Sequence, residues 1–542
     1  MSIALRAEWY RRFVTFGLVA VSSVVLWGCG GGDGGSSQPQ AIPLTVPKAT
    51  CGPTDSPETA LQGQVPAALR ASGFKGFNCN LQLIGQSQGE GASWQHAWFQ
   101  DGAGHKCAYY DTASPKDGTA GRTHLGTVVL DVSDPKNPTP TAYLTTTAML
   151  DPWESLKVNE RRQLLGAENG TNAAGGPELD LYDLSGDCRN PQLLSSVATG
   201  TAANGDAAAL PAGQNLLGHE GNFTPDGLTW YSGDRGTPKK YTGTDISNTV
   251  HPMLMGTWNL PQIYPTSTTT HGLTVSDDGT RAYVSQAGVL ADPTTIATAV
   301  PTNGVIILDV SDFQKRVANP QAKQISVLTW KDGGQMQHTI PVTIAGKPYL
   351  VAVEEIGSGG SGLVAWQAAC NAGLPPFNMA RILDISDETQ PKIVSRLMLE
   401  THDPANCSKV LPDLAGLSTF TYGSHYCSVD NRHNATTLAC GYFNSGIRVF
   451  DIRDPLRPKE IAYFNPPGAT TPKLGSNHFN PNSTIKSGTQ AGGPDWCNAQ
   501  IHLDVATASL QTTCQDSGFL SLKFENGVWP FPESTTPPGL QN

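Results

Sequence analysis

One phrase recurs along the chain: an apolar strand ending in aspartate, then a polar turn, a proline and a second apolar strand. It reads VVLDVSDPKNPTPTAYL from Val128, LDLYDLSGDCRNPQLLSSV from Leu179 and YTGTDISNTVHPMLMGTW from Tyr241. It returns as VIILDVSDFQKRVANPQAKQISVL from Val305, ARILDISDETQPKIVSRL from Ala380 and IRVFDIRDPLRPKEIAYF from Ile447, and LSLKFENGVWPF from Leu520 is a decayed seventh copy. Alternating Val, Ile and Leu suits a half-buried strand. The aspartate can accept backbone hydrogen bonds in the turn, and the proline sits where the ladder needs no donor. The marker runs through Asp131, Asp183, Asp245, Asp309, Asp384, Asp451 and Glu525 in steps of 52 to 75 residues. Those steps exceed a minimal four-stranded blade, so the excess is assigned to loops, with 357–378 and 400–422 as candidates to decorate one face.

These copies resemble the LVIVD repeat of bacterial surface β-propellers, a motif specific for architecture and weak for chemistry. The resemblance implies an all-β chain forming a single β-propeller over residues 77–530, with a tail at 531–542. The segment NCNLQLIGQS at 78–87 looks like the outer strand of a blade but precedes the first full repeat. It is expected to complete a seventh four-stranded blade and close the ring from the N-terminal side. Six blades remain the alternative if the decayed copy is only an extension. A sandwich or β-helix fits the multi-strand period less well.

Residues 1–29 read as an export signal rather than as structure. Arg6, Arg11 and Arg12 precede the apolar run FVTFGLVAVSSVVLW, and LWGC ends at Cys29. This resembles a bacterial lipobox with Cys29 as the lipidated residue, although Trp27 stands where a small residue is usual. A cleaved signal or a simple membrane anchor is the alternative. In lipoproteins of this kind aspartate after the cysteine retains the protein at the inner membrane; here Gly30 follows, which implies the outer membrane, facing periplasm or exterior. GGGDGGSSQPQ from Gly30 has the composition of a flexible tether, part of an N-terminal extension over 30–76. The chain has eleven cysteines, so setting Cys29 aside leaves an even number suited to disulfides in an oxidising compartment. Cys427 with Cys440, Cys497 with Cys514 and Cys370 with Cys407 are plausible local pairs, but sequence does not fix connectivity. A net charge of −11 argues against nucleic acid as a partner.

Histidine supplies the clue to chemistry. His219, His271, His338 and His425 each stand four residues ahead of an apolar strand position, His96 precedes a comparable run, and Glu154 takes the matching place before Val158. In the seventh unit Asp495 is a candidate match, with His478 nearby. About fifteen residues later come Asp111, Glu168, Asp234, Gln286 and Glu354. Hairpin geometry sets the start of one strand beside the end of the next, so these groups are expected to flank the histidines as orienting partners at one end of the axial channel. Imidazoles with orienting carboxylates suit copper, zinc or iron. A single small ion takes only a subset of the six candidate ligands His96, Glu154, His219, His271, His338 and His425. Glu220 is the candidate general base if the ion activates water. Glu354 and Glu355 could share a proton or an ion, although a solvated loop end is the plainer reading. His105, His251 and His433 lie outside the pattern and are read as solvated.

Two functions follow. One is an exported, lipid-anchored propeller whose axial ring binds a transition metal and supports redox or hydrolytic chemistry on a small molecule. It is similar in architecture and histidine use to the selenium-binding, methanethiol-oxidising propellers, without residues that map onto theirs. The other is a metal-free module that binds a protein partner through the propeller face and loops. No nucleophile elbow, phosphate loop or dinucleotide fingerprint offers a third route.

Overall fold

The computed structural model describes residues 45–112, 123–169, 179–197, 218–234, 240–261, 264, 268–289, 292–414, 417, 420–469, 473 and 493–534. The export signal, Cys29, the glycine-rich tether and His478 lie outside the described residues. So does the side chain of Asp234.

Seven antiparallel sheets stand in a ring, making a seven-bladed β-propeller. Their first strands are His96–Gln100, Lys157–Asn159, Gly218–Phe223, Thr269–Val275, Gln335–Ile344, Ser424–Val429 and His502–Asp504, in blades 1 to 7. From blade 1 to blade 7 each of these strands packs on the first strand of the next blade, so they line the axis. The repeat phrase supplies the third and fourth strands of blades 1 to 6. Its aspartate ends the third strand and accepts the backbone N–H two residues on: Asp131 from Ser133, Asp183 from Ser185, Asp245 from Ser247, Asp309 from Ser311, Asp384 from Ser386 and Asp451 from Arg453. These carboxylates are turn formers, as their sequence context predicts.

Ring closure is divided between two blades. Leu81–Ser87 pairs with Gly518–Phe524 and completes blade 7, whereas Phe77–Cys79 adds a fifth strand to blade 6 through Lys459–Asn465. The sequence reads 78–87 as one strand, but Asn80 adopts φ 57° and breaks it. Asparagine visits that left-handed region more easily than most residues.

A separate apolar cluster fills each of the seven gaps between neighbouring blades. Between blades 5 and 6, Val351, Val353 and Ile382 meet Val429, Leu438 and Phe450; between blades 7 and 1, Phe519 meets Tyr110 and Val128. Sheet faces burying alternate residues against each other are what hold a propeller together.

Before blade 1, residues 45–76 run along the outside of blades 5 and 6. Val46 N–H donates to the Met398 carbonyl and Pro47 accepts from Glu460 N–H. Buried Arg448 on blade 6 joins Glu58 of this strap to Glu460, whose Oε1 is 2.7 Å away. The two long loops fold together as a helical insert. Helix Leu363–Asn371 is bonded to the short helices of 400–413 through Cys370–Cys407, around Trp366, Phe377 and Tyr422. Both loops meet the sheet on the side where the inner strands begin. The three local cysteine pairs form, and Cys51–Cys79 and Cys107–Cys188 complete the set. Among the described residues no helix is long and apolar enough to cross a membrane.

Candidate metal centre at the propeller axis

The inner strands are irregular where the polar ring lies. In blade 3 Gly218 pairs with Asp234 and Glu220 with Gly233, so the register shifts at His219. In blade 4 the ladder jumps from Thr270–Gln286 to Leu273–Val284, and in blade 6 from Ser424–Tyr442 to Cys427–Cys440. His271 and His425 sit in those gaps. Blade 5 has two shifts, which leave Gln337 unpaired on one strand and Glu355 on the other. A bulge turns one side chain out of strict alternation, and here each bulge supplies an axial group.

These groups converge with Glu154, which precedes the first strand of blade 2. Glu154 Oε2 lies 3.2 Å from Nε2 of His219 and 3.3 Å from Nε2 of His271, while its Oε1 lies 3.2 Å from Nε2 of His425. Glu355 approaches from the other side, 3.7 Å from His271 and 3.8 Å from His425. Gln337 Nε2 donates to Glu154 Oε2 at 3.0 Å and lies 3.0 Å from His425 Nε2. All are buried.

Hydrogen bonds fix which ring nitrogen carries the proton. Nδ1 of His425 lies 2.9 Å from the Asn498 carbonyl and Nδ1 of His271 lies 3.1 Å from Glu220 Oε2. Both partners are acceptors, so Nδ1 is the N–H in each ring and a neutral ring presents its Nε2 lone pair to Glu154. His219 Nε2 accepts from Trp153 Nε1 at 3.1 Å, which also marks it as unprotonated. The lone pair of His219 is thus engaged by Trp153, whereas those of His271 and His425 face a carboxylate, acceptor against acceptor. Such a contact requires a cation between them, either a proton or a metal ion.

Charge leads to the same requirement. The pocket buries three carboxylates, Glu154, Glu220 and Glu355, and among the described residues Lys157, with Nζ 3.6 Å from Glu220, is the one ammonium that pairs with any of them. Burial pushes the Glu154 carboxyl up, but His219, His425 and His271 outweigh it and hold the group well below the usual range. Burial opposes protonation of His271, yet Glu355, Glu220 and Glu154 raise its pKa. Burial lowers Lys157, partly offset by Glu220 and Glu154.

Of the six predicted ligands, Glu154, His219, His271 and His425 come together, whereas His96 and His338 belong to neither metal-competent group at the axis. His96 turns Nδ1 to the Gln500 carbonyl at 3.2 Å, and burial lowers its pKa to about 4. His338 contacts the Cys427 backbone and stacks on Tyr426 at 4.7 Å; burial and then Lys157 hold it well below the usual range. Both line a cavity of about 650 Å³ that runs from Lys157, Glu220 and Tyr426 to hairpin-turn residues such as Pro225 and His433. The other side of the cluster is closed by Trp94, Trp153, Phe420, Phe443 and Trp496.

The predicted orienting residues do other work. Glu354 binds Arg381 at 3.1 Å, Trp330 Nε1 at 2.6 Å and Asn303 Nδ2 at 2.7 Å. Gln286 donates to the Thr302 carbonyl, Glu168 accepts from Ser232 Oγ, and the Asp111 carbonyl accepts from Ser93 N–H. The bulges shift the register between these residues and the histidines, and Glu220 and Asn498 orient the rings instead. Glu220, the candidate base, is engaged by His271 and Lys157, which makes it a positioning residue. Sequence reasoning missed Gln337, Trp153 and Lys157, and it weighed Glu355 only as a partner of Glu354 in sharing a proton or an ion, with a solvated loop end as the plainer reading. His105, read as solvated, closes on Asp101 at 2.8 Å.

No protein-family model matches the chain, and no curated protein matches it in sequence. Solved structures that overlay on it include a "putative 6-phosphogluconolactonase" from Bacteroides fragilis NCTC 9343, 10% identical, covering 74% of this chain and 90% of that one with a TM-score of 0.41. A protein of the same description from Bacteroides uniformis ATCC 8492 is also 10% identical, covering 77% and 91% with a TM-score of 0.45. Such distant overlap carries no chemistry across.

Proposed function

We propose that this protein is an exported metalloprotein of the LVIVD-repeat type, anchored to the outer membrane through a lipid on Cys29. On this reading the propeller holds a transition ion among Glu154, His219, His271, His425 and Glu355. The supporting observation is the convergence of three imidazole Nε2 atoms on the Glu154 carboxylate inside a buried, acid-rich pocket. The donor set lacks thiolates, so it suits copper(II), zinc or iron rather than copper(I) or an iron–sulfur cluster. A bound ion would supply redox or Lewis-acid chemistry. Glu220 and Asn498 fix ring orientation, the aromatic wall excludes water from one side, and the polar channel admits a small hydrophilic substrate from the other. Five disulfides are consistent with an oxidising compartment.

Elemental analysis of the protein purified from the cell envelope, beside a His219→Ala/His271→Ala/His425→Ala variant, tests the metal. Bound transition metal in the parent and none in the variant is the expected result. A metal-free parent after reconstitution would leave the histidines as a proton-sharing structural network. Labelling with a radioactive fatty acid, lost in Cys29→Ser, tests the anchor.

A further inference from the structure

The five axial donors sort into two triads, Glu154–His219–His271 and Glu154–Glu355–His425, within each of which the ligand atoms lie inside 4.8 Å of one another. Glu154 belongs to both. Its two oxygens divide the work: Oε2 faces His219 and His271, and Oε1 faces His425. Glu355 repeats the division, with Oε1 towards His271 and Oε2 towards His425. Two carboxylates therefore each offer one oxygen to each triad.

Ligand atoms about 2 Å from a common ion lie about 3 to 4 Å apart, and the contacts of Glu154 and Glu355 with the imidazoles, 3.2 to 3.8 Å, fall in that range. The nitrogen Nε2 of His271 has no hydrogen-bond partner among the described residues although both carboxylates are within reach. His271 Nε2 thus meets both carboxylates at ion-pair distance without a hydrogen bond to either, which leaves its lone pair for a cation.

From this geometry we infer that the axis holds two metal ions about one carboxylate's width apart, bridged by Glu154 and Glu355. The inference rests on the metal-binding reading above. To the two bridging carboxylates the first site adds two imidazoles and the second adds one, so the first is the richer in nitrogen. For copper(II), whose preference for imidazole is the stronger, the first fills first. One dication already offsets the excess of two buried carboxylates over Lys157, so the second ion rests on the ligand geometry alone.

Full-length protein, stripped with a chelator and titrated with Cu²⁺ by equilibrium dialysis, tests the assignment, with paramagnetic resonance read at each step. The expected result is two equivalents bound in sequence. The second should convert an isolated-ion spectrum into one broadened by a neighbouring copper ion, with a half-field signal. His425→Gln should retain the first equivalent and weaken the second at least tenfold. Glu355→Gln should bind two ions with a weakened spin interaction, and circular dichroism checks that each variant keeps its β-sheet. One equivalent in the parent overturns the paired centre and leaves the metal reading standing; none overturns both. Two equivalents without spin interaction, or two undiminished in His425→Gln, place the second ion elsewhere and also overturn the inference.

Discussion

Nδ1 of His271 is held 3.1 Å from Oε2 of Glu220, and Cα of the next residue, Gly272, leaves room for that carboxylate: a Cβ there would stand 2.2 Å from the same oxygen. The glycine and the acid form one positioning unit. Orienting partners of metal-bound imidazoles typically contribute about 10- to 100-fold in affinity. Glu220→Gln should weaken metal binding by about that factor, and Gly272→Ala should do the same by displacing the acid. Competition with a chromogenic chelator measures both; an unchanged affinity in Gly272→Ala would separate the two residues.

Arg448 is the pivot of a buried ion pair that crosses from the N-terminal strap to blade 6, with Glu58 and Glu460 on either side. Removing one partner of such a set leaves uncompensated charge, at a cost of about 3–5 kcal/mol. Arg448→Met should lower unfolding free energy by roughly that amount in urea titration. Adding Glu58→Gln and Glu460→Gln should recover much of the loss, because no carboxylate is then left unpaired.

His402 lies in the helical insert, with Nε2 3.1 Å from the Tyr422 carbonyl, and burial lowers its pKa to about 4. Its unfolded value is near 6.5, so between the two the unfolded chain binds the proton more readily. Stability from this residue is complete above pH 6.5 and is lost as pH falls towards 4, by about 3 kcal/mol in all. Denaturation midpoints from pH 7 to 4 should fall less steeply in His402→Gln. The same slope in both proteins would assign the acid limb to other groups, such as His96.

The Cys370–Cys407 bridge closes a loop with a sequence separation of 37 around the insert. By the chain-entropy model, a loop of this size contributes about 4 kcal/mol. Replacing both cysteines with serine should make the two loops of the insert, 357–378 and 400–414, the first regions cleaved by added protease while the blades persist. Mass spectrometry of the earliest fragments gives the order.

The blades were legible because repeated Asp-turn chemistry is local: Asp131 and Asp384 need only the residue two places on. The level of the histidines was legible too, since each opens an inner strand. Their partners were not. Strict alternation puts Glu354 and Glu355 on opposite faces, and counting from His338 selects Glu354. The bulge instead leaves Glu355 unpaired at the axis and sends Glu354 to Arg381. A bulge depends on both strands of a ladder, so one strand's periodicity does not reveal it. His338 obeys the same spacing as His271 and His96 opens a comparable run, yet backbone contacts from blades 6 and 7 redirect them.

Leu81 pairs with Phe524, so the last blade is woven from the two ends of the propeller sequence. A chain emerging from the ribosome or a translocation pore can stack its middle blades early, but it cannot seal the ring until Phe524 is present. Long-range pairings of this kind form late and slowly. The axial groups come from blades 2 to 6 and can gather while the circle is still open. On the metal-binding reading, an ion can enter through the missing sector and be enclosed by the final strand, which ties loading of the centre to completion of the ring.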